Sequence, residues 1–291
     1  MSHVLTLVAD RAATTLTASL IARVREAVGG AAALILSPGE AADIPCSAPP
    51  DQAAVAAALE GAAVDAITTR ARGRRKGLLV ADMDSTIVTG ETLDELAAFA
   101  GVGDRVAAIT RRSMNGEIDF AEALRQRVAM LRGLALDALE QTWARVRLTP
   151  GARELVATMR AHNATTALVS GGFTYFTSRV AALLGFDQHR ANVLLDDGTC
   201  LTGEVAVPIL DRDAKLATLR ELAAARRLRP AATLAVGDGA NDLAMIRAAG
   251  LGIAYHAKPI VAAAAHARVD HASLRALLFA QGYPLSRIVA A

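Results

Sequence analysis

The chain has 291 residues, enough to bury a sizeable core and to hold a main domain with a smaller companion. Its formal charge of +2 is too small to mark nucleic acid or an anionic membrane as the partner; although 53% of the residues are hydrophobic, no apolar run reaches the ~18 residues of a spanning helix. Cys46 and Cys200 have no partner in a CxxC spacing, which suggests neither a zinc site nor a disulfide framework but two thiols in a reducing compartment.

The N-terminus meets Asp10 and Arg11 before a signal-peptide core could form, so the chain is expected to stay in the cytoplasm. Residues 4–9 alternate as a strand, and 14–28 carry Leu16, Leu20, Ile21, Val24 and Val28 at helical spacing. A second strand over 33–36 ends at the turn Ser37-Pro38-Gly39, and a helix over 51–59 and a strand over 64–69 complete a small α+β domain, 1–70. Its element order resembles the ferredoxin-like arrangement of ACT-type regulatory modules. Residues 71–76, with Arg72, Arg74, Arg75 and Lys76, read as a solvated linker.

The second domain spans 77–291. Leu78, Leu79, Val80 and Ala81 form an unbroken apolar run, which suits a strand buried on both faces of a parallel sheet. Helices are predicted over 91–100, 104–114, 119–131 and 136–145, so a helical cap over about 90–148 is inserted after the first strand as a lid. Thr149 and Pro150 read as the N-cap and first position of a helix reaching 161. Strands over 165–169, 233–236 and 251–254 then alternate with helices over 173–184, 213–226 and 242–248, with a hairpin at Asp197-Gly198 and a last helix over 273–280. This is the pattern of an α/β, doubly wound parallel sheet.

Three of these apolar strands end in polar clusters: Asp82 and Asp84 with Thr86; Ser170-Gly171-Gly172; and Gly237-Asp238-Gly239-Ala240-Asn241-Asp242. In a parallel sheet all three emerge at one edge and converge on one site. At average residue usage a D-x-D-x-T occurs by chance in such a chain with a probability of roughly 0.06, and a G-D-G-x-x-D with roughly 0.005. Both together, each directly after an apolar strand, are not an accident. Carboxylates gathered at one edge repel, by about 4 kcal/mol for a pair at ~4 Å and an effective dielectric of 20, so a cation belongs among them. Oxygen donors without His or Cys favour a hard ion, and Mg²⁺ with retained waters and a substrate phosphate fits best. Beside it, one carboxylate can attack phosphorus to form an aspartyl phosphate, which the same site hydrolyses. Ser170 with the amides of Gly171 and Gly172, leading into a helix, forms a phosphate cradle, or else a plain strand-to-helix turn. Lys215 stands in the first turn of a helix, where a cation is disfavoured unless anions are near; it either bridges the attacking carboxylate and the phosphoryl group or is a solvated lysine.

Together these motifs resemble the haloacid dehalogenase superfamily of phosphotransferases and, within it, the phosphoserine phosphatase family, over about residues 77–270. The resemblance implies that Asp82 is the nucleophile and Asp84 the general acid/base. It also implies that Asp82 and Asp238 ligate Mg²⁺ by side chain and Asp84 by its main-chain carbonyl, with Asp242 in support. Asn241 would act on bound phosphate or water, and Ser170 and Lys215 match the family's second motif and its lysine. The run Glu91-Thr92-Leu93-Asp94-Glu95 and the segment from Phe120 to Val128 carry the resemblance into the cap. By that likeness Glu91 takes the substrate ammonium, Arg127 its carboxylate, and Met114 and Phe120 close over the apolar part. From the residues alone, Glu91 is equally a first-turn acid and Arg127 a surface arginine.

The implied reaction is hydrolysis of O-phosphoserine, the last step of serine biosynthesis. The alternatives within the superfamily are phosphothreonine or phosphohomoserine. A receiver-like signalling module would have no use for a water-excluding cap, and an inactive amino-acid sensor would not need the full set of Asp82, Asp84, Lys215 and Asp238. The expected partner is a small molecule, with no nucleic acid and no membrane, and monomer and homodimer both stay open.

Overall fold

The computed structural model describes residues 1–114 and 117–290, with the side chains of Met114 and Arg212 outside the described set. Among the described residues no helix is long and apolar enough to cross a membrane.

The N-terminal unit runs β1 (His3–Ala9), α1 (Ala18–Ala27), β2 (Leu34–Ser37), β3 (Ala41–Cys46), α2 (Gln52–Leu59) and β4 (Val64–Arg70). Its four strands form one antiparallel sheet in the order β2-β3-β1-β4. Thr17 and Asp51 cap the two helices through their side-chain oxygens. Leu5, Leu7 and Ile44 pack against Ile21, Val24 and Val55 of those helices. The opposite face is buried too: Val8, Ala41 and Ile67 join the core of the second domain. For that reason β1 is buried from Val4 to Ala9 rather than on alternate residues. Strand β3 escapes the sequence reading because it carries Asp43 and Pro45, residue types that strands disfavour.

The segment 71–76 is not a solvated linker throughout. Arg74 is 12% exposed and donates to Asp43, to Thr6 and to the carbonyls of Phe279 and Ala280, tying the small sheet to the end of the chain. Two further buried acids of the small domain face the same way. Asp65 accepts the backbone N–H groups of Asp270, His271 and Ala272, and Glu40 pairs with Arg275.

The second domain opens with β5 (Leu78–Ala81), followed by the cap helices α3 (Thr92–Phe99), α4 (Gly103–Met114), α5 (Phe120–Ala129) and α6 (Asp137–Arg145). The chain returns through α7 (Ala152–Ala161), β6 (Thr165–Phe173), α8 (Thr174–Leu184) and β7 (Gln188–Asn192). A hairpin of β8 (Leu194–Asp196) and β9 (Leu201–Val205) comes next. Then follow α9 (Arg212–Ala225), β10 (Thr233–Gly237), α10 (Leu243–Ala248), β11 (Leu251–Tyr255), α11 (Pro259–Ala264), β12 (Ala267–Val269) and α12 (Ala276–Ala280). Six strands form a parallel sheet in the order β12-β11-β10-β5-β6-β7. This is the α/β, doubly wound fold expected, with the helical segment inserted after its first strand. The central β5 lies between β10 and β6, where the strand order reverses, and its carboxyl end is the switch-point crevice that such sheets use for ligands.

Two local expectations need correction. Thr149 and Pro150 lie ahead of α7, whose N-cap is Gly151 with φ of 85°, so the turn is made by the residue that tolerates a left-handed backbone. Strand β6, expected to end at 169, runs on to Phe173 before α8 starts at Thr174, so Gly171 and Gly172 lie on the end of a strand that leads into a helix.

Candidate active site

The apolar run of β5 is fully buried, and the ladder to β10 continues one step beyond it, where the Asp82 N–H donates to the carbonyl of Val236. The chain then turns tightly over Met83–Ile87, with Ser85 at a positive φ of 54°, an uncommon conformation for a residue with a Cβ. This turn sets Asp82 over the sheet edge and sends Asp84 towards the cap.

Lys215, on α9, reaches the edge from below and lies 2.6 Å from Asp82 Oδ1 and 2.6 Å from Asp242 Oδ1. It is 1% exposed, so it is no solvated lysine. Burial alone would lower its pKa, but Asp242 and Asp82 outweigh that and raise it, so it stays an ammonium. Asp82 is raised well above the usual carboxylate range by burial and by Asp242, against the pull of Lys215. Asp242 is pinned on both oxygens, the second accepting the N–H of Gly239 at 3.0 Å. At Gly237 a Cβ would fall 2.3 Å from the Asp242 side chain, so only glycine lets that carboxylate in.

Asp238 accepts a hydrogen bond from the hydroxyl of Thr86 at 3.3 Å, and burial followed by Asp242 pushes its pKa up to about 6. Carboxylate oxygens of Asp82, Asp238 and Asp242 lie within 4.8 Å of one another. A set made of carboxylates alone fits a hard divalent cation and not zinc or copper. Asp84 is held on both sides: Thr92 N–H donates to Oδ1 at 2.9 Å and Ser170 Oγ to Oδ2 at 3.1 Å. Burial, with Glu91 next in effect, pushes its pKa up to about 6.

Above this floor lies a cavity of about 960 Å³ between the sheet edge and the cap. It is lined by Asp82, Asp84, Ser170, Gly171, Asp238 and Asn241 from below and by Glu91, Phe120 and Arg127 from above. Lys215 and Asp242 stand behind the floor, both buried. Glu91 accepts from Ser85 Oγ at 2.7 Å. Arg127 donates from Nε to the carbonyl of Ala123, and burial lowers its pKa against the opposing charges of Asp94 and Glu91. Phe120 lies over Gly171, where a Cβ would sit 3.1 Å from the ring. Met114 closes α4, but its side chain is outside the described residues.

Among the lining groups that escaped the sequence reading are Lys258, Asp94 and Thr110. Lys258 follows the end of β11, and its N–H donates to the carbonyl of Asp238. The parallel-sheet rule that locates the other strand ends also applies to β11, so the same pattern in the sequence points to Lys258. Asp94 and Thr110 sit on cap helices, where nothing local separates them from solvated residues.

The family model for haloacid dehalogenase-like hydrolases matches residues 79–247, from β5 into α10. The chain belongs to that family. Among curated members, a phosphoserine phosphatase of Idiomarina loihiensis is 46% identical over 202 residues, covering 69% of this chain and 92% of the relative. One of Archaeoglobus fulgidus is 47% identical over 188 residues, covering 65% of this chain but 55% of its own, so the chain spans just over half of that relative's length. A solved probable phosphoserine phosphatase from Vibrio cholerae, in unliganded form, superposes with a TM-score of 0.80 at 33% identity, covering 98% of this chain and 88% of the other.

Proposed function

We propose that this hydrolase cleaves O-phosphoserine to serine and inorganic phosphate through an aspartyl phosphate on Asp82. The observation that carries the reading is the pairing of two differently held carboxylates at one strand end, beneath a cap that presents an acid and a guanidinium. Relatives named as phosphoserine phosphatases support the substrate.

Asp82 and Asp238 side chains and the Asp84 carbonyl would hold a divalent cation, which we take to be Mg²⁺, with Asp242 in support. When bound, that ion neutralises the crowded carboxylates and the phosphate charge. Lys215 holds one Asp82 oxygen and leaves the other to attack phosphorus. As that bond forms and the ester P–O bond breaks, the seryl oxygen keeps the electron pair and takes the proton of Asp84, whose pKa near 6 suits the exchange at neutral pH. Ser170, the Gly171 amide and Asn241 hold the phosphoryl oxygens. Asp84, now ionised, takes a proton from the water that attacks the phosphoenzyme and releases phosphate. In the cavity above, Glu91 would receive the ammonium and Arg127 the carboxylate, a match of charges that a small zwitterion requires, while Met114 and Phe120 cover the rest.

Phosphate release from a panel of phosphoserine, phosphothreonine, phosphohomoserine and simple alkyl phosphates, with and without chelator, tests the reading. Phosphoserine is expected to lead in kcat/KM and to depend on the cation. A faster turnover of either other phosphoamino acid, or full activity in chelator, would overturn it.

A further inference from the structure

The pairing of β6 with β7 is interrupted at the site. Val169 lies opposite Arg190 and Phe173 opposite Asn192, so Ser170-Gly171-Gly172 takes more residues than the facing strand and bulges out of the ladder. A bulge re-aims a side chain and takes ladder partners away from its own backbone groups. The Asn192 side chain, 3% exposed at the end of β7, supplies one such partner: its Nδ2 donates to the carbonyl of Gly171 at 2.9 Å. Its remaining bonds hold Leu210, with Nδ2 donating to that carbonyl at 3.3 Å and Oδ1 accepting that N–H at 2.7 Å. These partners fix which end of the amide is which, since a carbonyl only accepts and an N–H only donates. The Gly171 carbonyl belongs to the same peptide group as the Gly172 N–H, and that N–H donates to Ser170 Oγ at 2.9 Å. Ser170, Gly171 and Gly172 line the cavity, and Asn192 does not.

We propose that Asn192 is a positioning residue for Ser170, acting through the peptide group between Gly171 and Gly172. This rests on the reading of Ser170 as a holder of the phosphoryl oxygens. A peptide group is planar and trans, so pinning its carbonyl sets the direction of its N–H on the opposite side. Between two glycines that plane would otherwise be free to turn. A hydroxyl carries one proton, and when an N–H occupies one of its lone pairs the proton must point elsewhere. Here it points to Asp84 Oδ2 at 3.1 Å, across the cavity floor over which a phosphoryl group would be held. A donor already aimed needs no reorganisation as charge develops on the phosphoryl oxygens, whereas a free rotor must first be ordered.

The test is a double-mutant cycle in the full chain with Mg²⁺, reading kcat/KM for phosphoserine in wild type, Asn192→Ala, Ser170→Ala and the double variant. Ser170→Ala alone is expected to lose at least about ten-fold, and Asn192→Ala alone about five- to ten-fold. In the Ser170→Ala chain the same change at Asn192 should lower kcat/KM by less than about two-fold, because the hydroxyl it aims is gone. An asparagine with a merely structural role would carry its whole loss into both backgrounds. If Asn192→Ala alters the far-UV circular dichroism spectrum, Asn192→Ser takes its place with the same expected values, since serine leaves a smaller gap and its stem is too short to reach Gly171. An Asn192 variant as active as wild type, or one whose loss persists in full in the Ser170→Ala chain, would overturn the proposal and leave the reading of Ser170 standing. A Ser170→Ala chain as active as wild type would overturn both. Phosphoserine can be exchanged for whichever alkyl phosphate the wild-type chain cleaves best, so a failed substrate reading leaves the cycle intact.

Discussion

Replacing Lys215 with Met removes one positive charge from a space shared by three carboxylates and leaves an unbranched side chain that suits the interior of α9. The ammonium lies 2.6 Å from both Asp82 and Asp242, and the oxygens of Asp82, Asp238 and Asp242 are within 4.8 Å of one another. At an effective dielectric of about 20, two negative charges that far apart repel by about 3.5 kcal/mol, so the three cannot all stay ionised without a cation. Breaking a buried ion pair by removing one partner costs ~3–5 kcal/mol. Proton uptake by Asp82, already raised by burial and Asp242, holds the loss near the lower end. Urea denaturation in chelator should therefore show a destabilisation of about 3 kcal/mol, and saturating Mg²⁺ should narrow the gap because it supplies the missing charge. Turnover should fall further, by at least about 100-fold, since a protonated Asp82 is no nucleophile and the transferring phosphoryl group has lost a fixed cation. A variant that loses under about 1 kcal/mol in both conditions, or keeps turnover within about three-fold, would refute the electrostatic account of this centre.

Asp82→Asn should abolish turnover while the unfolding midpoint stays near that of wild type, and no acid-stable phosphoenzyme should form; normal activity would remove Asp82 as the nucleophile. Arg127→Ala deletes charge-assisted bonds worth about 1.5–3 kcal/mol to a carboxylate, so KM for phosphoserine should rise roughly 10- to 150-fold, while a phosphomonoester without a carboxylate should be almost unaffected. An unchanged KM would show that Arg127 does not hold the substrate. Asp238 has a carboxyl pKa of about 6, so below that pH protons compete with the cation and above it they do not. The Mg²⁺ concentration for half-maximal rate should rise as pH falls below about 6, by about ten-fold per pH unit for each proton the cation displaces; a flat profile from about pH 5 to 8 would take Asp238 out of the ligand set.

The site was legible at three strand ends because buried parallel strands are apolar on both faces, so each announces itself as an unbroken run that stops at a polar cluster. Leu78 to Ala81 and Thr233 to Gly237 are buried at every position. The same rule explains what was missed. Strand β7 reads Gln-His-Arg-Ala-Asn and occupies the edge of the sheet, where one side has no neighbouring strand and polar residues are tolerated. Strand β12, at the other edge, has three residues. The cap helices were readable from their spacing, but Asp94 and Thr110 gain a surface to line only when α3, α4 and the sheet edge are brought together.

Arg74 shows why a charge run cannot be ranked from within. It stands among Arg70, Arg72, Arg75 and Lys76, and nothing in its neighbours sets it apart. What singles it out is Asp43, 5% exposed on a strand of the other sheet, together with two carbonyls more than 200 residues downstream. A carboxylate buried to that degree is tolerable only when paired, so Asp43 requires Arg74 in a way that no exposed acid requires its partner. The same reasoning covers Lys215 with Asp82. In each pair one residue lies in a recognisable local pattern, and the other acquires its role from burial that the fold alone creates.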